Sequence, residues 1–141
     1  MIAACKYTDF ERMLWVINDG AKAYRGQIPS DRWQDPYMNA NELRSEIEAK
    51  VTFRGWYNSE KMLVGVMGSQ HVLDVLLIRH AYVISSNWRQ GIGSALIDDL
   101  LTRAISPVLV GTWASATWAI EFYQKHGFEL VSKVRCVFLN K

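Results

Sequence analysis

The sequence predicts one domain, residues 1–141, of mixed α/β (α+β) class, with a mostly antiparallel sheet, flanking helices and a late βαβ unit. A chain of 141 residues suits a single domain with its own core, and no repeat or linker divides it. Four segments carry apolar residues at helical spacing, and runs of branched and aromatic residues alternate with them. The short, wholly apolar run 108–110 lies between two helical segments, which is typical of a buried strand in a βαβ unit.

The first half of the chain predicts a strand and two helices. Apolar residues recur at i, i+3, i+4 and i+7 from Phe10, and Gly20 loosens or ends that helix. Asn39 or Asn41 caps the second helix. The predicted elements are, in order, a strand at 2–7, a helix from Phe10, a loop at 24–37 and a helix at 41–49.

The second half predicts most of the sheet. Residues 58–61 read as a hairpin connection and residues 68–70 as the next turn. Pro107 stops the third helix, in which Asp98 and Asp99 face outward, and Gly127 closes the fourth helix. The predicted elements are strands at 51–57, 62–67 and 72–83, a helix after the glycine motif with its apolar stripe over 96–105, a strand at 108–110, a helix at 116–126 and a strand at 128–139.

Composition excludes several classes of protein. The formal net charge of +2 is too small to indicate binding to nucleic acid or to a membrane surface. No apolar run approaches the ~20 residues of a membrane span, and the N-terminus has no signal-peptide pattern, so we expect a cytoplasmic protein. Cys5 and Cys136 form neither a disulfide framework nor a metal site; we expect free, buried thiols and no metal.

The stretch from Trp88 to Leu96 contains two glycines, Gly91 and Gly93, between a strand-like run and an amphipathic helix. Glycine lets the backbone approach a ligand closely, and a helix N-terminus directs free N–H groups at a phosphate or diphosphate. The alternative is a plain strand-to-helix turn. The stretch lacks the third glycine of a dinucleotide fingerprint and the Gly-Lys-Ser/Thr of a P-loop, so a nucleotide-binding protein ranks last.

Two further segments join the glycine motif, at residues 78–83 (Ile-Arg-His-Ala-Tyr-Val) and 119–128 (Ala-Ile-Glu-Phe-Tyr-Gln-Lys-His-Gly-Phe). Together the three segments resemble the GNAT acetyltransferase superfamily, whose element order matches nearly the whole chain. The chain departs from the family pattern at Trp88, where Gln or Arg is usual, at Ala116, where Asn is usual, and at Arg79, where an acidic base is frequent. The family also ends in two strands, whereas the last strand here reads as absent, merged or supplied by another chain.

The resemblance implies acetyl-CoA as the donor, bound mainly by main-chain groups around the glycine turn. Ser94 Oγ adds one hydrogen bond, and Arg89 either pairs with a phosphate or is a solvated surface residue. The residues that the resemblance implies for the cofactor are Tyr82, Val83, Arg89, Gln90, Gly91, Ile92, Gly93 and Ser94.

The resemblance also implies roles in chemistry. The strand ending at Val83 diverges from the strand at 108–110, so free backbone groups at Val83 face the thioester, although Val83 also suits core packing. Tyr123 protonates the departing thiolate, or is a half-buried aromatic. The base is open: strand alternation places His80 on one face with Ile78 and Tyr82, and the competing reading is a satisfied buried histidine. His126, in the last turn of its helix, is explained by the helix dipole alone.

The sequence says least about the acceptor of the acetyl group. The loop residues Asp31, Trp33, Asp35 and Tyr37 either attract a cationic amine or form a solvated loop. The resemblance implies a small-molecule or peptide amine, and an unpartnered last strand makes a homodimer an expectation. The resulting hypothesis is an N-acetyltransferase that moves an acetyl group to a primary amine by direct attack on the thioester. The alternative is a non-catalytic acyl-CoA-binding or regulatory module.

Overall fold

The computed structural model describes residues 1–132 and 137–141 of the chain. Within these residues a seven-stranded sheet carries four helices, and the α/β class with a mostly antiparallel sheet is confirmed. The elements are β1 (Ile2–Ala4), α1 (Phe10–Gly20), α2 (Ala40–Glu48), β2 (Thr52–Tyr57), β3 (Leu63–Val72), β4 (Val75–Val83), α3 (Ile92–Arg103), β5 (Val108–Gly111), α4 (Thr117–Lys125), β6 (Glu129–Ser132) and β7 (Val137–Asn140).

The sheet has the order β1-β2-β3-β4-β5-β7-β6, and β4–β5 is its parallel pair. Helix α3 connects these two strands, so the predicted βαβ unit is confirmed. The paired residues of β4 and β5 are Leu76 with Val108 and Leu77 with Leu109. Beyond these pairs the two strands separate, and the sheet opens between their carboxyl ends.

The helices pack their apolar faces on the middle of the sheet. Val16 and Ile17 of α1 and Leu96 and Ile97 of α3 are buried, and both helices contact β3 and β4. Phe138 of β7 belongs to the same core and is 1% exposed. This continuous core holds the N-terminus of α3 and the end of β4 in a fixed relation.

The turn predicted at residues 68–70 is wrong. Strand β3 continues to Val72, and the chain turns at Leu73 and Asp74 instead. A Cβ atom at Gly68 would lie 2.7 Å from Cε1 of Phe53 on the neighbouring strand. Gly68 therefore provides room for the Phe53 ring inside the sheet, and its presence does not mark a turn.

The single final strand predicted at 128–139 is also wrong. Strands β6 and β7 are antiparallel neighbours, and β7 pairs with β5 on its other side. No glycine or proline interrupts this segment, so its periodicity reads as one strand. Because β7 has partners on both sides within its own chain, the argument for a homodimer from an unpaired last strand falls away.

The simple strand alternation predicted around His80 does not hold. Gly68 pairs with Arg79 and Met67 pairs with Ala81, which leaves His80 as the extra residue of a β-bulge. Its φ of 52° lies in the left-handed region that a non-glycine residue adopts at a cost. The bulge changes the direction of the strand just before Tyr82 and Val83.

The structure also bears on the expectations for Asn39, Asp99 and the two cysteines. Asn39 is the cap of α2, because its side chain accepts a hydrogen bond from the Glu42 N–H at 2.8 Å. Asp99, predicted to face outward, is half-buried and accepts a hydrogen bond from Arg54 of β2 at 2.7 Å. Cys5 is a free, half-buried thiol, whereas Cys136 lies outside the described residues.

Within residues 1–132 and 137–141, no helix combines the length and the apolar character that a membrane crossing requires.

Candidate functional site

A cleft of about 580 Å³ lies between the end of β4, the start of α3 and one face of α4. It is the place where the three motif segments meet. Of the residues predicted for the cofactor, the cleft is lined by Tyr82, Val83, Arg89, Gly91, Ile92, Gly93 and Ser94. Gln90 is not in the wall; its side chain accepts a hydrogen bond from Asn87 Nδ2 at 3.2 Å.

The glycine turn presents backbone to this cleft. Gly91 is the N-cap of α3 with a φ of 78°, a conformation that glycine adopts without strain. A Cβ atom at Gly93 would meet only ring carbons of Phe122, at 3.6 Å, and so would stand in the cleft. The N–H groups of Ile92, Gly93 and Ser94 belong to the first turn and have no acceptor within the helix. The turn therefore fits an anionic group such as a diphosphate.

A buried carboxylate fixes the segment that leads into the turn. Asp19 of α1 accepts hydrogen bonds from the Ser85 backbone N–H at 2.6 Å and from Lys22 Nζ at 3.2 Å. Burial raises the pKa of Asp19, but these hydrogen bonds and the Lys22 charge outweigh it and hold the pKa below its ordinary value. Asp19 is therefore ionised at neutral pH and ties α1 to the residues just after β4.

Trp88, at the position where the family usually has Gln or Arg, contacts the end of β4. Its indole Nε1–H donates a hydrogen bond to the carbonyl of Val83 at 2.6 Å. The ring is 41% exposed and lines the cleft. The Val83 carbonyl is therefore engaged within the chain.

A second cavity of about 300 Å³ opens where β4 and β5 separate. It shares four lining residues with the first cleft, namely Tyr24, Ala81, Tyr82 and Tyr123. Tyr123 on α4 is 6% exposed, and burial raises the pKa of its phenol above the ordinary value. The phenol is therefore protonated at neutral pH at the junction of the two cavities, where it can donate a proton.

Aromatic side chains form one wall of the second cavity. The Tyr82 hydroxyl donates to the Tyr37 hydroxyl at 3.1 Å, and Tyr24 packs edge-on against Tyr82 at 6.2 Å between ring centroids. Asn18 of α1 fixes the loop beside Tyr37, since its side chain bonds both the N–H and the carbonyl of Met38, at 2.8 and 2.9 Å. Tyr37 is held in place by this contact.

The four loop residues predicted for the acceptor do not come together. Tyr37 lines the second cavity, and Trp33 packs behind it with ring centroids 5.6 Å apart. Asp31 and Asp35 are exposed and line neither cavity. Tyr37 therefore reaches the cavity with Trp33 packed behind it, and the two carboxylates of the loop are exposed.

His80 lines the second cavity beside Arg79, and both side chains meet Glu46 of α2. His80 Nε2 lies 3.3 Å from Glu46 Oε1, at an angle that does not make a hydrogen bond, and Arg79 donates to the same oxygen at 3.1 Å. Burial lowers the pKa of His80, and this effect outweighs the Glu46 carboxylate, which raises it. The imidazole is therefore neutral at neutral pH and can accept a proton.

Several residues of the site had no local motif in the sequence. They are Tyr24, Thr112 and Trp113 in the second cavity, Trp118 in the cleft, and Glu46 beside His80. For the aromatic residues among them the signal was general: the sequence has six Trp and six Tyr, a generous number, some of which can line a groove instead of the core. Thr112 and Glu46 gave no signal.

Comparisons with known proteins agree with this geometry. No protein of curated function matches the sequence. The family model of the acetyltransferase (GNAT) domain matches residues 18–138. Among solved structures, the PaiA N-acetyltransferase of Thermoplasma acidophilum in complex with coenzyme A is similar, with a TM-score of 0.82 and 17% identity over 100% of this chain and 98% of that chain.

Two other solved structures share the fold. The ribosomal-protein-S18-alanine N-acetyltransferase of Escherichia coli has a TM-score of 0.72 and 17% identity, covering 99% of this chain and 90% of that one. The phosphinothricin acetyltransferase of Sinorhizobium meliloti in complex with AcCoA has a TM-score of 0.71 and 12% identity, covering 94% and 76%. The family model matches residues 18–138, which are most of this chain, and the cleft is built around the glycine turn. The chain therefore belongs to the GNAT family of acetyltransferases.

Proposed function

We propose that this protein transfers the acetyl group of acetyl-CoA to a primary amine by direct attack of the amine on the thioester. The observation that carries the proposal is the junction of two cavities at Tyr82 and Tyr123. One cavity has a helix N-terminus and a glycine turn for a diphosphate, and the other has room for an acceptor. Neighbouring folds were crystallised with coenzyme A and AcCoA, which supports the assignment of the first cleft.

The residues of the first cleft fit the co-substrate at its charged end. Backbone N–H groups at Ile92, Gly93 and Ser94 bind the diphosphate, and Arg89 is close enough to the cleft to add a charge-assisted contact. The missing Cβ of Gly93 leaves the approach open. These groups hold the donor without taking part in chemistry.

The second cavity holds the amine and supplies the proton acceptor. An alkylamine has a pKa of ~10.4, so it is almost wholly protonated at pH 7 and must lose a proton before it attacks. His80 accepts that proton, directly or through water, because its lowered pKa keeps it neutral. The faces of Tyr24, Tyr37 and Tyr82 bind the ammonium form before this step.

Transfer then needs a proton for the leaving group. The amine nitrogen forms a bond to the carbonyl carbon, the carbon–sulfur bond breaks, and the sulfur leaves with the electron pair. Tyr123 donates its phenolic proton to that sulfur, which becomes the thiol of CoA. As the amide forms, its nitrogen loses a second proton to the Tyr123 phenolate, directly or through water, and the proton on His80 goes to solvent, so one proton is released in each cycle.

A CoA-release assay across an amine library tests the proposal. We use amino acids, peptides, polyamines and aminoglycosides as acceptors, with acetyl-CoA alone as the control. Amine-dependent release of CoA, with an acetylated product detected by mass, supports transfer. Binding of acetyl-CoA with no amine-dependent release supports the alternative, a non-catalytic acyl-CoA module. Absence of binding at millimolar acetyl-CoA contradicts both.

A further inference from the structure

Among its described lining residues, the second cavity carries one formal charge. Arg79 supplies it, since the imidazole of His80 is neutral and none of these residues is an aspartate or a glutamate. The Arg79 side chain is 37% exposed, so a ligand can reach it. The loop carboxylates Asp31 and Asp35 are exposed and lie outside this wall. An acceptor that is only a cation therefore meets no carboxylate in the wall.

The bulge in β4 sets Arg79 beside His80. Consecutive residues of a regular strand point to opposite faces of the sheet. Here both side chains reach Glu46 of α2, because Arg79 Nη2 donates to its Oε1 at 3.1 Å and His80 Nε2 lies 3.3 Å from the same oxygen. A cation and a neutral base are thus neighbours on one face of the sheet, with one carboxylate oxygen between them.

The contact with Glu46 leaves most of the Arg79 guanidinium available. A guanidinium has five N–H groups, and within residues 1–132 and 137–141 only Nη2 donates to a protein acceptor. Glu46 fixes the orientation of this group without itself lining the cavity. A planar guanidinium held in this way can bind a further carboxylate through paired N–H donors.

The charges near this part of the wall have an order that matches a zwitterion. Arg79 is the positive end, and the Glu46 carboxylate, which also lies against His80, is the negative end. The carboxylate of a zwitterion pairs with Arg79 while its ammonium group lies at His80, on the side of Glu46. In an α-amino acid one carbon joins these two groups, so they can span two neighbouring side chains.

Aromatic rings form much of the remaining wall. Tyr24 and Tyr37 both pack edge-on against Tyr82, with ring centroids 6.2 and 5.9 Å apart, and Trp113 follows β5. Such rings accept an ammonium group on their faces and also bury an apolar side chain. The volume of about 300 Å³ lies at the lower end of the range for ligand pockets, which suits a small molecule.

We propose that the acceptor is a free α-amino acid with an aromatic or branched apolar side chain, whose carboxylate binds Arg79 and whose amino group lies at His80. This proposal rests on the proposed function. The acetyl group passes to the α-nitrogen, CoA leaves as the thiol and one proton is released, while the carboxylate of the amino acid is unchanged. Arg79 is then the residue that determines specificity for the acceptor.

Matched acceptors test the proposal. L-phenylalanine and L-leucine are compared with their carboxamides, which keep the shape but replace the carboxylate with a neutral group. Rates are measured at pH 8.5, well above the ordinary pKa of histidine, so that removing a neighbouring charge leaves the base neutral. Because Arg79 is partly exposed, we expect the ratio of kcat/KM, acid over carboxamide, to be about 10-fold lower in Arg79→Gln than in the wild type. Differences in intrinsic amine reactivity cancel in this comparison.

Arg44→Gln is the matched control. Arg44 is another arginine whose side chain belongs to this region of the chain, on α2, where it donates to Asn41 at 3.0 Å and lines neither cavity. Its ratio should equal that of the wild type. Both variants should keep the wild-type Kd for acetyl-CoA, which shows that the fold and the donor cleft are intact. A merely structural role of Arg79 would lower both rates equally and leave the ratio unchanged.

Equal ratios in the wild type and in Arg79→Gln overturn the substrate class and leave the proposed function intact. Acetylation of polyamines or peptides, without acetylation of any free amino acid, does the same. Absence of amine-dependent release of CoA with every acceptor overturns the proposed function as well.

Discussion

Replacing Gly93 with alanine separates the cofactor cleft from the stability of the fold. The added methyl would lie 3.6 Å from ring carbons of Phe122, an ordinary contact, and Gly93 has no positive φ that would strain it. Removing a glycine from a helix stabilises the protein by about 0.5–1 kcal/mol. The same methyl stands in the cleft, where it keeps a diphosphate from the backbone N–H groups.

Loss of one charge-assisted hydrogen bond costs about 1.5–3 kcal/mol. We therefore expect the Kd for acetyl-CoA to rise about 10- to 100-fold in Gly93→Ala while the free energy of unfolding stays the same or increases. Calorimetry with acetyl-CoA and urea unfolding measure the two quantities. Ser45→Ala, at an exposed position of α2 that lines neither cavity, is the control and should bind as wild type. A folded Gly93→Ala protein with unchanged affinity would refute the assignment of the cleft.

Three further predictions concern other residues of the site. Tyr123→Phe should lower kcat about 100-fold or more with little change in the Kd for acetyl-CoA, and a wild-type rate would remove Tyr123 from the mechanism. His80→Gln should remove the acid limb of the pH profile of kcat/KM. Because burial lowers the pKa of His80, that limb lies below ~6.5 in the wild type. An unchanged limb in the variant counts against His80 as the base. Asp19→Asn should cost about 2 kcal/mol of unfolding free energy at pH 7 through its bond to Ser85. Because the pKa of Asp19 is lower in the folded protein than in the unfolded chain, its contribution to the free energy of unfolding is present above pH ~3.9 and is lost as the pH falls below that value. Urea unfolding at pH 3 should therefore show a smaller difference between Asp19→Asn and wild type.

The parts of the fold that local sequence pattern specifies could be predicted. The stripes at helical spacing gave the four helices, and the apolar run 108–110 between two of them gave the βαβ unit. The glycine turn was readable because its chemistry lies within a few consecutive residues. Gly68 misled the prediction because a glycine that makes room for a ring on the next strand looks, in sequence, like a glycine that turns the chain.

The second cavity could not be predicted, because its walls come from distant parts of the chain. Tyr24 and Trp113 both line the gap that opens where β4 and β5 separate. No local sequence pattern encodes that separation. The bulge at His80 likewise depends on how Met67 and Gly68 pair with the neighbouring strand. His126 gave no signal beyond its place at a helix end, although its Nε2 lies 3.2 Å from Ser94 Oγ on another helix.

The short parallel pairing of β4 with β5 has a consequence for amide hydrogen exchange. Among the described residues, the pairs at Leu76 and Leu77 alone join β4 to β5. Backbone groups that point into the gap beyond these pairs therefore lack the ladder partners that protect sheet amides elsewhere. A ligand that occupies the gap supplies those partners. Slowed deuterium uptake on saturation should therefore concentrate at those amides of residues 78–83 and 110–111 that point into the gap, since alternate amides of the two strands face β3 or β7 instead. Amides of the β2–β3 ladder should exchange at the same rate in the free and the loaded protein.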